Sequence, residues 1–390
     1  MSFRFNFSIN NDDDDDDGSI AAPLAMAQTA TVQTTHDNNH VKDLHVPACE
    51  IVPLTMPSVS SVVVDAIYYK QQRLWKRQLD DVQFQLAQQD SMDGGSESAM
   101  ARAIARESNA SDVIKGVYEG GLKTWECSID LLNYIVAHLD ELSANLSDAR
   151  VLELGCGTAL PSLHILKTIP GACVTMQDYN RDVLELVTLP NVLCNTILDP
   201  SNGDVLGDMA HVDGDTESCE IDIDYRRTQV LFGDDTDKII GARDNPQLTS
   251  GEAAEADKKL VGGSDISTRC EFIAGDWGEI EKEMRRNGRQ HTFDFIITSE
   301  TIYDTSSYKQ LHDLLVCVLA KPYPDNSNGN CSRPAVLVAA KSLYFGLTGS
   351  VLSFSQFVVS QGVFDIACVW QSGGSMNREI LRLTWKTAAK

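Results

Sequence analysis

Three small residues follow a short apolar run at residues 151–157, and an acid precedes them. The stretch reads VLELGCG, so Glu153 stands two residues before Gly155, and Gly157 closes the turn. Glycines in a strand-to-helix turn let a ligand approach the backbone closely. The dinucleotide fingerprint GxGxxG needs a third glycine where this chain has Leu160. The ExGxG form, whose acid can hold a cationic amino group, instead suits S-adenosylmethionine.

A second acid ends the next apolar run, CVTMQD. Asp178 lies twenty-one residues after Gly157, where a carboxylate can accept both ribose hydroxyls of a nucleoside. Either Asp178 or Asn180 can equally cap the helix that begins at Arg181. We place both side chains in the cofactor site and keep the capping role as the alternative.

A third acid follows the run EFIAG. Asp276 offers a carboxylate to an adenine amino group, and Trp277 offers an aromatic face or edge to the ring. Asp276 is equally suited to cap the helix after it. The three turns together predict a nucleoside-containing cofactor.

Alternating strands and helices must position these residues. The predicted strands are 151–154, 173–178, 271–275, 293–299 and 335–341, and the predicted helices are 160–168, 181–188, 278–286, 307–320 and 351–361. Such alternation builds a parallel sheet covered on both faces. Two further β-rich runs, 364–371 and 378–386, flank a short Gly/Asn loop, which predicts a C-terminal antiparallel hairpin.

Two helices are predicted ahead of the sheet. One spans 128–142, where apolar residues recur at three and four positions. The other lies within 60–89, where Val63, Ile67 and Leu74 have mostly helical spacing, and it is expected to pack on the larger body as an N-terminal extension.

Charge is unevenly distributed in this chain of 390 residues with a net charge of −24. Residues 1–50 carry nine acids and two bases, and residues 201–268 carry sixteen acids and six bases. Both segments lack a sustained apolar period, so we expect an acidic disordered tail at 1–58 and a disordered insertion at about 201–268. A helical extension and linker at 59–112 and a main domain at 113–390 complete the predicted organisation.

Several classes of protein do not fit this composition. No apolar run approaches the roughly 20 residues of a membrane span, and the N-terminus lacks the order of a signal peptide. The ten cysteines form no CxxC pair or zinc spacing, so we interpret them as reduced thiols. We therefore expect a cytoplasmic or nuclear protein without a bound metal or a membrane partner.

At this point the chain resembles the histidine protein methyltransferases of the seven-β-strand class. The matching stretches are GVYEGGLKTWECSIDLL (116–132), LELGCGTALPSL (152–163), QDYNRDVLELVTLPNV (177–192), TSETIY (298–303) and AAKSLYFG (339–346). The acidic tail and insertion have no counterpart in that resemblance. The implied fold is α/β: a seven-stranded Rossmann-like methyltransferase sheet, mostly parallel, with a C-terminal antiparallel hairpin.

The resemblance also implies roles for individual residues. The implied cofactor contacts are Trp125, Glu153, Gly155, Gly157, Asp178, Asn180, Asp276, Trp277 and Ser299. The implied substrate-side residues are Glu126, Lys341, Tyr344 and Phe345, beside an ExxY pair, Glu300 and Tyr303, that is expected to be catalytic. Taken alone, Trp125 and Tyr303 can be core aromatics, Glu300 a helix cap and Lys341 a surface charge.

The chemistry of Glu300 and Tyr303 agrees with this resemblance. A neutral imidazole is already a nucleophile, so methyl transfer to it needs alignment more than a strong base. Glu300 can accept the N–H of the other ring nitrogen and stabilise the cation that forms. The Tyr303 ring would form one wall of the site.

Three functions remain open from the sequence. The first is transfer of a methyl group from S-adenosylmethionine to a histidine of a large-subunit ribosomal protein, leaving S-adenosylhomocysteine. The second is methyl transfer to lysine by a related enzyme, and the third is a non-catalytic cofactor-binding escort of a ribosomal protein. The acidic segments favour a basic polypeptide partner over naked nucleic acid, and we expect a monomer.

Overall fold

The computed structural model describes a large part of the chain. The described residues are 46–52, 61–69, 72–92, 120–138, 148–169, 171–196, 198–199, 218–222, 266–322, 334–373 and 377–386. Most of the predicted tail and insertion, and all of residues 93–119, lie outside the described residues.

A mostly parallel sheet forms the centre of the fold. Its strands in chain order are β1 (Glu50–Val52), β4 (Arg150–Leu154), β5 (Cys173–Asp178), β7 (Cys270–Ala274), β8 (Phe295–Ser299), β9 (Ala335–Lys341), β10 (Phe364–Gln371) and β11 (Arg378–Trp385). They lie side by side in the order β1-β7-β5-β4-β8-β9-β11-β10. The chain builds outwards from β4 through β5 to β7 and then crosses to β8 and β9. The carboxyl end of β4 is therefore a topological switch point, where ligands bind in open α/β sheets.

Helices cover this sheet. They are α1 (Leu79–Met92), α2 (Glu126–Ala137), α3 (Leu160–Thr168), α4 (Arg181–Val183, the π-helical turn Leu184–Thr188 and Leu189–Cys194), α5 (Ile266–Arg269), α6 (Trp277–Arg286), α7 (Tyr308–Val318) and α8 (Val351–Gln361). The predicted alternation of strands and helices is confirmed, with α4 extending past its predicted end. The predicted hairpin is also confirmed, since β10 pairs with β11 in antiparallel register.

Apolar residues fill both faces of the sheet. Val151 and Met176 belong to one buried cluster, whereas Leu152 and Ile296 belong to another. Neighbouring residues of one strand point to opposite faces, so both faces of β4 are covered. This explains why the central strands read as continuous apolar runs.

The predicted helix at 60–89 is wrong for its first half. Residues Ser61–Tyr69 (β2) and Gln72–Arg77 (β3) form an antiparallel pair, and only the following α1 is helical. Within β2, Val62 and Val64 are buried while Val63 is half-buried, which is the period of a strand. The β-branched residues there favour a strand once a partner covers one face.

That partner comes from the segment predicted to be disordered. Ser218–Asp222 (β6) pairs antiparallel with β2, so β3, β2 and β6 form a second, three-stranded sheet. The prediction of disorder is therefore wrong at 218–222. Local composition could not reveal it, because the two paired strands lie some 150 residues apart in the chain.

Within the described residues the main sheet has eight strands, one more than predicted. The extra strand, β1, lies within the predicted disordered tail and pairs antiparallel with β7. Val52 is buried against the sheet. A three-residue strand stabilised by its partner leaves almost no local signal in the sequence.

Two further features concern the whole described part of the chain. None of the helices described is long and apolar enough to cross a membrane. The nine cysteines among the described residues are all free thiols.

Candidate active site

The glycine turn lies at the carboxyl end of β4. Gly155 and Gly157 have φ values of 61° and 49°, in the left-handed region that favours glycine. A Cβ atom on Gly155 would lie 2.8 Å from the Thr301 methyl carbon, and one on Gly157 would lie 2.9 Å from the Gly121 carbonyl oxygen. The turn is thus held close to the segment after β8 and to the segment before α2.

Glu153 lies behind this turn. Its side chain is 0% exposed, and its Oε2 accepts a hydrogen bond from the Ser162 backbone amide at 3.2 Å. Its Oε1 is buried without a hydrogen-bond partner among the described residues. Burial raises the pKa of Glu153 to about 8. Oε1 is therefore the atom through which Glu153 could hold a cationic group.

Asp178 links the first turn to the second strand. Its Oδ2 accepts a hydrogen bond from the Gly157 amide at 3.0 Å, and its Oδ1 accepts one from the Asn180 amide at 3.2 Å. Asn180 occupies the N-cap of α4 but makes no side-chain capping bond. Asp178 and Asn180 therefore both lie beside the glycine turn. The hydrogen bond from the Gly157 amide to Asp178 orients that turn.

Gln177 is a site residue that sequence reasoning missed. Its Oε1 accepts hydrogen bonds from the Gly155 amide at 3.3 Å and from the Trp277 indole N–H at 3.0 Å, and its Nε2 donates to the Gly275 carbonyl at 3.0 Å. One buried amide at the end of β5 thus joins the turn after β4 to the turn after β7. A polar residue at the end of an apolar strand, next to Asp178, was the available signal.

Asp276 performs the capping role that the sequence left open. Its Oδ1 accepts hydrogen bonds from the Gly278 amide at 2.8 Å and from the Gln310 side chain at 3.3 Å. Trp277 begins α6, and its ring is oriented by Gln177. Capping occupies one carboxylate oxygen, so it is compatible with a ligand contact from the other oxygen.

The segment before α2 packs over the glycine turn. The Trp125 indole N–H donates to the Gly120 carbonyl at 2.9 Å, and the hydroxyls of Thr124 and Thr158 are 3.1 Å apart. Trp125 is half-buried at the N-cap of α2. It lies between the glycine turn and the predicted substrate side, where Lys341 Nζ is 5.4 Å from its ring centre.

Glu300 follows the last residue of β8, Ser299, whose backbone is in register with Ala339. Its φ of 58° is in the left-handed region, and its amide donates to the Ala339 carbonyl at 2.9 Å. Non-glycine residues held in this conformation are concentrated at functional sites. The side chain is 8% exposed, and Oε1 has no hydrogen-bond partner among the described residues.

The glycine turn and the Glu300 segment are directly joined. The Thr298 hydroxyl donates to the Leu154 carbonyl at 2.8 Å and lies 2.7 Å from the Thr301 hydroxyl. Glu300, between these two threonines, therefore lies beside the predicted cofactor turn. The helix-cap interpretation of Glu300 is wrong, because no helix starts there.

Aromatic side chains surround the Glu300 carboxylate. The rings of Tyr303 and Tyr344 meet edge to face with centroids 6.3 Å apart, and the Lys341 amide donates to the Tyr344 hydroxyl at 3.4 Å. Burial, followed by the charge of Glu300, raises the pKa of Tyr344 above its ordinary range. Phe345 is 78% exposed and lies outside this cluster. The structure thus brings Tyr344 to Glu300, places Tyr303 against Tyr344 and leaves Phe345 on the surface.

Two charged residues complete the substrate side. Lys341 Nζ lies 3.1 Å from Glu126 Oε2 and 3.7 Å from Glu300 Oε1. Burial by itself lowers the pKa of Lys341, but the charges of Glu300 and Glu126 outweigh it and hold the pKa above its ordinary value. Lys341 is thus a half-buried cation beside the candidate catalytic acid, and not an isolated surface charge.

An open cavity of about 430 Å³ lies elsewhere, at the amino ends of the strands. Arg150, Cys173 and Cys270, the first residues of β4, β5 and β7, line it. The glycine turn lies at the carboxyl ends of the same sheet. We therefore assign the cavity no part in the candidate site.

The site's residues fit S-adenosylmethionine. The glycine turn lies at the carboxyl end of β4, where open α/β sheets bind ligands, and Glu153 keeps one buried acceptor unpartnered within the described part of the chain. Asp178 and Trp277 lie at the neighbouring turns, where ribose and adenine contacts are expected. A second unpartnered acceptor, on Glu300, faces the aromatic cluster.

Comparisons with known proteins show which proteins this chain is similar to. A family model described as lysine methyltransferase matches residues 114–203. The histidine protein methyltransferase 1 of Schizosaccharomyces pombe is 34% identical over 286 residues, which are 72% of this chain and 67% of that protein. The mouse histidine protein methyltransferase 1 homolog is 31% identical over 281 residues, 72% of this chain and 60% of that protein.

The chain thus spans about 60% of the length of the mouse and rat relatives. Among solved structures, the magnesium protoporphyrin IX methyltransferase of Synechocystis PCC 6803 with bound SAM is 11% identical and has a TM-score of 0.35, covering 78% of this chain and 98% of that one. The glycine turn, Asp178 and the ExxY pair lie in the positions described above, and one relative is 34% identical over two thirds of that relative's length. This chain therefore belongs to the histidine protein methyltransferase 1 family.

Proposed function

We propose that this protein transfers a methyl group from S-adenosylmethionine to a histidine side chain of a protein substrate. The observation that carries the proposal is Glu300: its carboxylate is more than nine-tenths buried, lies beside the glycine turn and has an Oε1 that accepts no hydrogen bond from the described residues, with Lys341 Nζ 3.7 Å away. A buried acceptor without a partner is costly unless a ligand satisfies it. An imidazole N–H is a donor of suitable size. Membership of the family supports the same acceptor.

The cofactor would be held by the residues around the glycine turn. Gly155 and Gly157 admit it, Glu153 Oε1 is available to its amino group, and Asp178 to its ribose. Trp277 and Asp276 would contact the adenine. When bound, S-adenosylmethionine supplies an electrophilic methyl group on a sulfonium.

Glu300 would act on the nitrogen that is not methylated. By accepting that N–H, the carboxylate holds the tautomer in which the other ring nitrogen carries a lone pair. A bond forms between this nitrogen and the methyl carbon as the bond from methyl to sulfur breaks. The ring becomes an imidazolium, and the Glu300 charge stabilises it. Tyr303 and Tyr344 would form the walls that keep the ring aligned.

Methyl transfer to lysine is the second candidate, and the family model described as lysine methyltransferase favours it. That match ends at residue 203 and so covers the cofactor half of the chain without Glu300, Tyr303 or Lys341. The match therefore supports binding of the cofactor more than it supports lysine as the residue that receives the methyl group. The relatives named for histidine match about 280 residues, so we favour histidine.

We extend the proposal to the partner. A net charge of −24 favours a basic polypeptide. The family resemblance makes a large-subunit ribosomal protein the first substrate to test. A cytoplasmic or nuclear location is part of the same proposal.

Glu300→Gln tests the mechanism. The amide can still orient the ring but cannot stabilise the developing cation, so methyl transfer should slow by about 10- to 1,000-fold with unchanged cofactor affinity. The measurement is single-turnover transfer to a basic, histidine-containing fragment of a large-subunit ribosomal protein, read by mass spectrometry. Glu279→Gln, which changes a surface carboxylate on α6, is the matched control.

Two further arms complete this experiment. Gly155→Arg should abolish cofactor binding in calorimetry, because its side chain would fill the turn. A substrate fragment with His→Ala should receive no methyl group. Transfer that survives His→Ala would move the activity to lysine or another acceptor, and cofactor binding without any transfer would favour the escort. A fully active Glu300→Gln enzyme would remove Glu300 from the mechanism.

A further inference from the structure

Lys341 lies between two carboxylates that belong to different elements. It is the last residue of β9, and its Nζ is 3.1 Å from Glu126 Oε2 on α2 and 3.7 Å from Glu300 Oε1. The Lys341 side chain is 17% exposed and that of Glu300 is 8% exposed, whereas that of Glu126 is 61% exposed. The cation thus joins a surface acid to a buried one.

A neighbouring ion pair fixes the geometry of this array. Lys341 is in register with Arg378 on the adjacent strand β11, and the Arg378 guanidinium binds both carboxylate oxygens of Asp130. Glu126 and Asp130 are four residues apart on α2, so they face the same side. Because Arg378 is engaged by Asp130, Lys341 is the cation that this array presents to Glu300.

The two contacts of Lys341 differ in type, as their distances show. The 3.1 Å contact to Glu126 is a charged hydrogen bond, whereas 3.7 Å to Glu300 is beyond hydrogen-bond distance. Lys341 therefore acts on Glu300 through its charge and leaves the Oε1 lone pairs open. A substrate N–H can bind there without first displacing the lysine.

The other groups around Glu300 are neutral donors. Burial, and then the charge of Glu300, raises the pKa of both Cys127 and Tyr344 above their ordinary values, so both keep their protons at neutral pH. Lys341 keeps its charge because Glu300 and Glu126 outweigh the effect of burial on its pKa. The pKa of Glu126 lies below its ordinary value, because its hydrogen bond to Lys341 and the charge of Lys341 outweigh its burial.

We propose that Lys341, anchored by Glu126, is a positioning residue that holds the buried Glu300 carboxylate aimed at the acceptor histidine. This inference rests on the proposed function. It gives Lys341 and Glu126 a role through Glu300, beyond the substrate-side position expected from the sequence. A fixed cation 3.7 Å from Glu300 Oε1 restricts the orientations that the carboxylate can adopt, and a misaligned carboxylate would stabilise an imidazolium less well.

Lys341→Met tests the role of the charge, because methionine keeps most of the length and apolar volume of the side chain. We expect kcat to fall by about 10- to 100-fold at neutral pH, with little change in the substrate KM or in the cofactor affinity. Lys341→Arg should restore most of the activity.

Three variants make the result specific. Lys309→Met removes a lysine from an exposed ion pair on α7 and is the matched control. Glu126→Gln should give a smaller loss in the same direction, since Lys341 loses its anchor but keeps its charge. In a Glu300→Gln background, Lys341→Met should cost almost nothing further, because both changes act through one carboxylate. This double-mutant comparison also answers the objection that Lys341→Met damages the fold generally.

The outcomes distinguish this inference from the proposed function. If the unmodified protein methylates histidine and Lys341→Met has an unchanged kcat, the positioning role is wrong and the proposed function stands. Equal losses from Lys341→Met with and without Glu300→Gln would likewise overturn it. If the unmodified protein binds the cofactor but transfers no methyl group to histidine, the proposed function fails and this inference fails with it.

Discussion

Glu153 shows how burial changes the behaviour of a single residue. Its carboxyl has a pKa of about 8, against an ordinary value of 4.5, because burial penalises the charged form. Between these two pH values the folded protein keeps a proton that the unfolded chain releases. The contribution of Glu153 to the free energy of unfolding therefore decreases as the pH rises from about 4.5 to 8, and this contribution stops changing above the folded pKa.

Glu153→Gln should remove this pH dependence. At pH 5 the variant and the unmodified protein should differ little, whereas at pH 8.5 the variant should be more stable by up to a few kcal/mol, since each pKa unit corresponds to about 1.4 kcal/mol. Chemical denaturation of the cofactor-free protein at both pH values measures the difference. Glu279→Gln on the surface is the control. A stability difference that is the same at both pH values would show that Glu153 is already ionised in the fold.

Glu300 illustrates a second residue-scale feature, which is backbone strain. A non-glycine residue at φ 58° is held there by its surroundings, here by the hydrogen bond from its amide to the Ala339 carbonyl. Such a conformation costs on the order of 1–3 kcal/mol. The neighbouring strand β9 thus supplies both the acceptor that holds the Glu300 backbone and, through Lys341, the charge that faces its side chain.

At the scale of elements, the loop between β9 and α8 packs against the segment that contains Glu300 and Tyr303. The Gly349 amide donates to the Tyr303 carbonyl at 2.7 Å, and a Cβ atom on Gly349 would lie 2.1 Å from the Ile302 carbonyl oxygen. Backbone cannot move aside as a side chain can. This close approach is therefore available only to glycine, and it places Tyr344 of the same loop against Tyr303.

Gly349→Ala should lift this loop off the Tyr303 segment. We expect a loss of stability of about 1–3 kcal/mol and a lower rate of methyl transfer, with a smaller effect on cofactor affinity. Gly373→Ala is the matched control, because no atom of the described residues lies within 4 Å of a Cβ atom there. Thermal melts and single-turnover rates measure both variants. Equal behaviour of the two alanine variants would show that the loop does not depend on this contact.

At the scale of the whole molecule, residues 46–52 connect distant parts of the site. The Asp276 amide donates to the Pro47 carbonyl at 3.1 Å, and β1 pairs with β7. Glu50 also forms an ion pair with Arg181 at the start of α4. The segment thus contacts the turns after both β7 and β5, where the adenine and ribose contacts are expected.

Two truncations should separate this segment from the residues before it. Removing residues 1–52 should weaken cofactor binding and lower the melting temperature relative to removing residues 1–45, because only the longer deletion removes the contacts of Pro47, Glu50 and Val52. Calorimetry with S-adenosylmethionine and thermal unfolding measure the difference. If the two truncated proteins bind and melt alike, residues 46–52 have no part in the cofactor site.

Much of the main sheet could be predicted from sequence because its signals are local. Apolar runs of strand length, the small residues between runs and the acids after them each lie within a few residues of one another. They predicted the order of strands and helices, the glycine turn at Gly155 and Gly157, and the position of Asp178 beside it. A turn that only glycine can form leaves its mark in the sequence wherever it occurs.

Tertiary contacts decided the rest. The spacing of apolar residues at 61–77 is compatible with a helix and with a strand. This segment forms strands because β6, some 150 residues away, supplies backbone partners for β2. The short strand β1 exists only because β7 pairs with it. The charges around Glu300 come from α2 and β9, and the hydrogen bonds of Gln177 join the turn after β4 to the turn after β7. Sequence patterns report the local period of a segment, whereas pairing, burial and the charge of a carboxylate depend on which distant residues the fold brings within a few ångströms.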